Sequence, residues 1–375
     1  MPKIVAIAGQ IIFAYLIFLQ LGGCAWTDPV VADLSTLSDG WNEIGGGEDA
    51  VCSDGSDYQF FARPGDPSKL LIYFQGGGAC WNGATCDPDL DPTYVRMQNF
   101  DPTRSNGIFL FTEPDNPFRN HSVIVAPYCS GDLHMGDRVV EYEGPETEDH
   151  ESHDFVVQHR GFANAQAVLD WTFSHFFQPS SIFVTGSSAG SIPSPYYAML
   201  VADQYPDAEL TQLGDGSSGY RREYMVVTPE ETWGTLDRLK QMPEFVGVVT
   251  ENFSNERLYI AAATRHPNLQ FAAFDHAEDR VQKQFLALAG YRADSLLRLI
   301  LANQADIRDS VPRYNSYIAG GDLHTILQRP EFYTQHVEGA SVRDWVAALA
   351  RHEPVVNVQC SSCLEGEFSS VDEGI

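Results

Sequence analysis

The 375-residue sequence predicts an α/β fold, a mostly parallel central sheet with helices on both faces. Short apolar runs of strand length alternate with stretches of helical pattern. A composition of 43% hydrophobic and 12% aromatic residues is ample for a sizeable core. In chain order the runs are Lys69 to Phe74, Ser122 to Ala126, Ser181 to Thr185, Leu269 to Phe274 and Tyr314 to Ala319. Each is rich in Ile, Val, Phe or Tyr and ends in glycine or polar turn residues. Gly161 to Phe177, with Ala163, Ala167, Leu169 and Trp171 among its apolar positions, and Val281 to Leu288 read as helices. Strands alternating with helices imply a parallel sheet buried on both faces, where ligands bind beyond the carboxyl ends of the strands. Residues just after each run are therefore the place to look for chemistry. No repeat or linker divides residues 40 to 355, so one domain is expected at 51–355, with a tether at 24–50 and a tail at 356–375.

The amino terminus reads as an export signal over residues 1–23. Lys3 precedes an apolar run from Ile4 to Leu21, followed by Leu21-Gly22-Gly23-Cys24. That ending is similar to a bacterial lipobox and predicts lipidation at Cys24. The competing reading is an uncleaved anchor. Either way the body is expected outside the cytoplasm, as a periplasmic, outer-membrane or cell-surface protein, and as a monomer. Setting Cys24 aside, six of the seven cysteines remain for an oxidising compartment. Cys80 with Cys86 closes a short loop and Cys360 with Cys363 forms a C-x-x-C, leaving Cys52 for Cys129. The formal charge of -28 repels phosphate backbones and sets nucleic acid aside as a partner. Glu141 to Asp154 is dense in carboxylates, with His150 and His153; a solvated surface loop is expected there rather than a metal site.

The run Ser181 to Thr185 leads straight into Gly186-Ser187-Ser188-Ala189-Gly190. This fits the G-x-S-x-G elbow of α/β-hydrolase-like folds, a sharp strand-to-helix turn that tolerates only small neighbours and lifts a serine hydroxyl to the sheet edge. Ser188 is the candidate nucleophile, with Pro193 and Pro195 delaying the helix that follows. Acyl transfer also needs donors for the developing oxyanion. Gly76-Gly77-Gly78, directly after the run ending at Phe74, supplies bare amides, and Gly77, Gly78 and Ala189 are the candidates. Trp81 on the same loop is a candidate substrate contact.

The expected order in this fold is serine, acid, histidine. Of eleven histidines, His324 follows the run Tyr314 to Ala319 across Gly320-Gly321-Asp322-Leu323 and is the candidate base. His336 and His352 flank a helical pattern and read as surface residues. The acid lies just after the run ending at Phe274, and position alone leaves Asp275 and Asp279 open.

Tyr73 to Asp87 (YFQGGGACWNGATCD), Tyr128 to Asp132 (YCSGD) and Gly186 to Gly190 (GSSAG) together resemble the pectin acetylesterase and Notum carboxylesterase family. The resemblance spans about Cys52 to Trp345. It implies hydrolysis of an oxygen ester by Ser188 and His324, with no metal or organic cofactor. In the family the acid opens a D-x-x-Q segment, which fits Asp279-Arg280-Val281-Gln282 and favours Asp279. Asp215 in Leu213-Gly214-Asp215-Gly216-Ser217 resembles a D-S-G segment that lines the family's pocket. The resemblance implies an acylated polysaccharide, with acetyl as the first expectation, or a lipidated molecule as substrate. The rival of another class is a glycan-binding surface lipoprotein without turnover. Fewer cysteines and the acidic insertion set this chain apart from the family pattern.

Overall fold

A computed structural model describes residues 31–104 and 106–364. The export signal and Cys24 lie outside the described residues. The core is a nine-stranded sheet. Its first strands are β1 (Asn42–Gly45), β2 (Gln59–Arg63), β3 (Asp66–Phe74) and β4 (His121–Ala126). A separate hairpin, β5 (Arg138–Glu143) and β6 (Asp154–His159), interrupts the sequence. The sheet resumes with β7 (Ser181–Ser187), β8 (Glu209–Asp215), β9 (Gln270–His276) and β10 (Tyr314–Ala319), and ends on a two-residue strand, Val358–Gln359. Spatial order is β1-β2-β4-β3-β7-β8-β9-β10 and then Val358–Gln359, with every pairing from β4 onward parallel.

Strand period decides which face each side chain covers. Leu70, Ile72 and Phe74 of β3, with Ile182 and Val184 of β7, enter one apolar cluster. Leu71 and Tyr73, with Phe183, enter the cluster on the opposite face. Both faces are buried, which explains why these strands read as unbroken apolar runs. The helices are α1 (Gly83–Cys86), α2 (Gly161–His175), α3 (Ser194–Gln204), α4 (Pro229–Thr232), α5 (Thr235–Leu239), α6 (Glu256–Arg265), α7 (Arg280–Leu288), α8 (Leu296–Ser310) and α9 (Val342–Ala350). Among the described residues no helix is long and apolar enough to cross a membrane.

Three boundaries differ from expectation. The tether assigned to 24–50 is structured by Asn42, because β1 pairs antiparallel with β2 at the sheet edge. The tail assigned to 356–375 begins with a strand parallel to β10, with Tyr317 opposite Val358. The ends of the acidic segment are strands rather than loop, since Glu143 pairs with Asp154; Glu141, Glu143 and Asp154 are exposed, as is most of the loop between them. The cysteines pair as Cys52–Cys129, Cys80–Cys86 and Cys360–Cys363. The last bridge holds a loop whose Cys363 carbonyl accepts from the Gly321 N–H at 3.1 Å.

Candidate active site

Parallel register brings five strand ends to one edge. Phe74 lies opposite Gly186, Ser187 opposite Asp215, Asp215 opposite Phe274 and His276 opposite Ala319. Immediately beyond β7 the chain makes a 3-10 turn over Ser188–Gly190, and Ser188 takes φ +54. A non-glycine residue in the left-handed region is strained, and here packing enforces it. A Cβ on Gly186 would lie 2.2 Å from the Gly190 carbonyl oxygen, and one on Gly190 would lie 2.1 Å from that of Phe74. Both flanking positions must be glycine, so the spacing seen in the sequence has a steric cause. Helix α3 starts only at Ser194, as the prolines predict.

The glycine loop lies against this turn. A Cβ on Gly76 would lie 2.8 Å from that of Ser188, so the loop approaches as closely as bare backbone allows. Among the described residues the N–H groups of Gly77, Gly78 and Ala189 donate to no backbone carbonyl. The segment Tyr128 to Asp132 supports the loop from behind. The Tyr128 N–H donates to Gln75 Oε1 at 3.2 Å, and its hydroxyl accepts from the Leu133 N–H at 2.8 Å. Buried Asp132 accepts from Ser130 Oγ at 2.6 Å and from the Gly161 N–H at the start of α2 at 2.7 Å. Desolvation lifts its carboxyl to about 6.

Asp279 does two jobs with two oxygens. Oδ1 caps α7, accepting the Val281 and Gln282 N–H groups at 2.8 and 3.1 Å. Oδ2 meets His324 Nδ1 at 2.7 Å and accepts Gln282 Nε2 at 3.1 Å. The Asp279 side chain is fully buried and that of His324 is 14% exposed. Asp275, the other acid that position left open, is not the hydrogen-bond partner of the imidazole. It accepts the Ser218 N–H at 3.0 Å and Gln282 Nε2 at 3.1 Å, and burial lifts it to about 7. Gln282 thus ties both carboxyls together, with its Oε1 taking the Gly219 N–H at 2.8 Å. His324 Nε2 is buried and makes no hydrogen bond, so the link to the Ser188 hydroxyl is not closed in this structure.

Asp215 corrects an expectation. It does not line the pocket: it is fully buried and committed to the frame. Ser187 Oγ donates to Oδ2 at 2.6 Å, while the Ile326 and Leu327 N–H groups donate at 2.9 and 3.0 Å. One carboxyl therefore staples the residue before Ser188 to the residues just after His324. Burial lifts it to about 6. Its place at the end of β8 left room for no ligand, because the loop after β10 folds over it. His352 is a second correction. It is not a free surface residue, since its ring joins Ser181 Oγ at 2.8 Å and Thr211 Oγ1 at 3.0 Å.

Beside Ser188 opens a cleft with a cavity volume of about 70 Å³, bounded by Gly78 and Ala189. Its walls are mostly apolar: Trp81, Leu133, Ile192, Tyr220, Trp233 and Phe285. Trp81 is the expected contact that does line it. Most other lining residues come from the segment between β8 and β9 or from α7, where sequence pattern gives no sign of which side chains turn toward the serine. Gln282 was visible only as a letter in D-x-x-Q. The acidic segment lends His153 to a cluster with Asp87 and Asp89, at 3.6 and 3.4 Å. That cluster sits behind α1, and its residues do not line the cleft.

The Pectinacetylesterase family matches residues 44–230. The chain belongs to the pectin acetylesterase/Notum family. A stretch of 149 residues is 29% identical to the palmitoleoyl-protein carboxylesterase NOTUM of Schmidtea mediterranea, covering 38% of this chain and 26% of that protein. Another of 91 residues is 31% identical to the Homo sapiens protein of the same name, covering 23% of this chain and 18% of that one. The chain thus spans about a quarter or less of the length of these relatives. The solved structure of the Wnt deacylase Notum from Drosophila superposes with a TM-score of 0.56 at 17% identity, over 87% of this chain and 99% of that one. This family member therefore has the α/β-hydrolase-like fold.

Proposed function

We propose that the protein is a serine carboxylesterase that cleaves an oxygen ester with Ser188, His324 and Asp279. The observation that carries this reading is the 2.7 Å contact of Asp279 Oδ2 with His324 Nδ1, taken together with a serine held at φ +54 in a glycine-flanked turn. In this scheme Asp279 fixes the tautomer that leaves His324 Nε2 free to accept a proton. As the hydroxyl oxygen of Ser188 attacks the acyl carbon, its proton passes to Nε2 and the carbonyl oxygen becomes an oxyanion. The N–H groups of Gly77, Gly78 and Ala189 hold that charge. His324 returns the proton to the departing alcohol, and water, deprotonated by the same nitrogen, releases the acid. The Ser188–His324 link is of the kind that tightens when substrate arrives.

Two readings of the acyl group follow from different observations. The mostly apolar cleft favours a chain longer than acetyl, because two carbons leave most of that wall uncovered. The family's description favours an acetyl ester of a polysaccharide. Rates on p-nitrophenyl esters from acetate to octanoate decide between them: a maximum beyond four carbons supports the first reading, and a monotonic fall from acetate supports the second. A fluorophosphonate probe is expected to label the wild type and not Ser188→Ala; equal labelling of both would sink the esterase reading, and no labelling of either favours the glycan-binding rival. The disulfides fit maturation in an oxidising compartment, and we read the chain as exported, monomeric and tethered through Cys24.

A further inference from the structure

Glu230 and Asn255 are polar side chains of the apolar cleft that the scheme above does not use. They line it beside Trp233 and Ile192, and both also line the narrower continuation under Leu133 and Phe253. Asn255 precedes α6, yet its side chain makes no capping hydrogen bond. Glu230 is the second residue of α4, and burial lifts its carboxyl above the ordinary range. Its own N–H and the charge of Arg222 favour the ionised carboxyl against that burial. Arg222 is itself engaged, donating to the Val227 carbonyl at 2.7 Å.

An acyl chain that fills the cleft displaces water from these two groups. A plain hydrocarbon would leave a desolvated carboxyl and an amide without partners, which costs free energy that apolar contact must first offset. A chain bearing a hydrogen-bond donor removes that cost. Sites built to bond a polar group reject the analogue lacking it far more strongly than apolar pockets discriminate size. The cleft is bounded by Gly78 and Ala189, where the substrate carbonyl would sit, so the chain running on from that carbonyl is the part that enters.

We propose that Glu230, assisted by Asn255, selects acyl groups carrying a hydroxyl or ammonium on the chain. This rests on the esterase reading and names its substrate class. The probes are p-nitrophenyl esters of hexanoate, heptanoate and octanoate, each against the ester of the unbranched acid of matched length ending in hydroxyl or ammonium. At one chain length the wild type is expected to prefer the donor-bearing ester at least tenfold in kcat/KM. Glu230→Leu is expected to lower that ratio at least tenfold. Glu230→Gln, which keeps an accepting carbonyl, retains the hydroxyl preference and loses the ammonium one. Each ratio is read within one protein, so a general loss of activity cancels, and the wild-type ratio needs no variant to fold. Preference for the plain alkyl ester at every length, or a ratio unmoved in Glu230→Leu, overturns the proposal. In both those cases Ser188-dependent hydrolysis of p-nitrophenyl acetate still stands. Absence of that hydrolysis overturns the esterase reading and this inference with it.

Discussion

One serine opens strand β7 and another stands just past its end, and the two places differ in instructive ways. At the amino end Ser181 Oγ already bonds His352 Nε2 at 2.8 Å. Just beyond the carboxyl end stands Ser188, and His324, the base proposed for it, has an Nε2 without a hydrogen bond. Judged by that bond alone, the first pair is the better formed. Its other nitrogen, however, meets only a threonine hydroxyl, Thr211 Oγ1 at 3.0 Å, whereas His324 meets a buried carboxylate. Ser181 lies in extended strand, while Ser188 is forced to φ +54 between two glycines. A serine–histidine bond is thus a fastening unless a charge orients the imidazole and donors await an oxyanion.

The comparison can be attacked at several points. The largest effect after Ser188→Ala is expected from Asp279→Asn, which offers His324 Nδ1 an amide and favours the wrong tautomer. A fall in kcat of about 10⁴-fold is expected. Steady-state kinetics with circular dichroism would check it, and a loss below tenfold would mean the carboxylate does not orient the base. Asp215→Asn comes next. An amide donor there faces the Ile326 and Leu327 N–H groups, so the loop carrying His324 shifts. A fall in kcat of about 10–100-fold is expected, with destabilisation of about 1–3 kcal/mol in urea. An unchanged kcat would show that the staple does not position the base.

Smaller still is the effect of Asp275→Asn, read through pH. Burial raises this carboxyl from 3.8 to about 7, so the folded state keeps a proton that the unfolded chain releases. Its contribution to stability is therefore full below pH 4 and is lost as pH rises toward 7. The variant lacks this loss, so its stability relative to wild type is expected to climb steadily as pH rises from 4 to 8. Urea titrations at four pH values would reveal a flat difference if the aspartate titrates normally. The smallest effect belongs to Ser181→Ala, which removes a fastening far from the chemistry. Activity is expected within about twofold of wild type and stability lower by about 1 kcal/mol. A large fall in kcat would erase the distinction between the two places.

What could be read beforehand followed the strength of local pattern. Strands buried on both faces announce themselves as apolar runs, so β3, β4, β7, β9 and β10 and the residues after them were legible. Strand β8 was not, because Thr211 and Gln212 sit in its buried centre. Thr211 Oγ1 donates to the Leu349 carbonyl and Gln212 Nε2 to Ser194 Oγ, partners remote in sequence. The same limit hid the role of Asp215: the motif gave a carboxylate near the serine, but only the fold of the loop after β10 covers it. Position could not separate Asp275 from Asp279, although their surroundings differ sharply. Asp279 begins a helix, and its capping geometry leaves one oxygen aimed at the ring. The lining of the cleft was least legible, because it comes from irregular chain between β8 and β9.

The double duty of Asp279 reaches beyond the chemical step. The opening turn of α7 and the alignment of the imidazole hang on a single side chain, so neither can relax alone. Warming that unwinds only this turn would release the ring while the sheet is still intact. Heat should therefore silence the enzyme before it melts the protein.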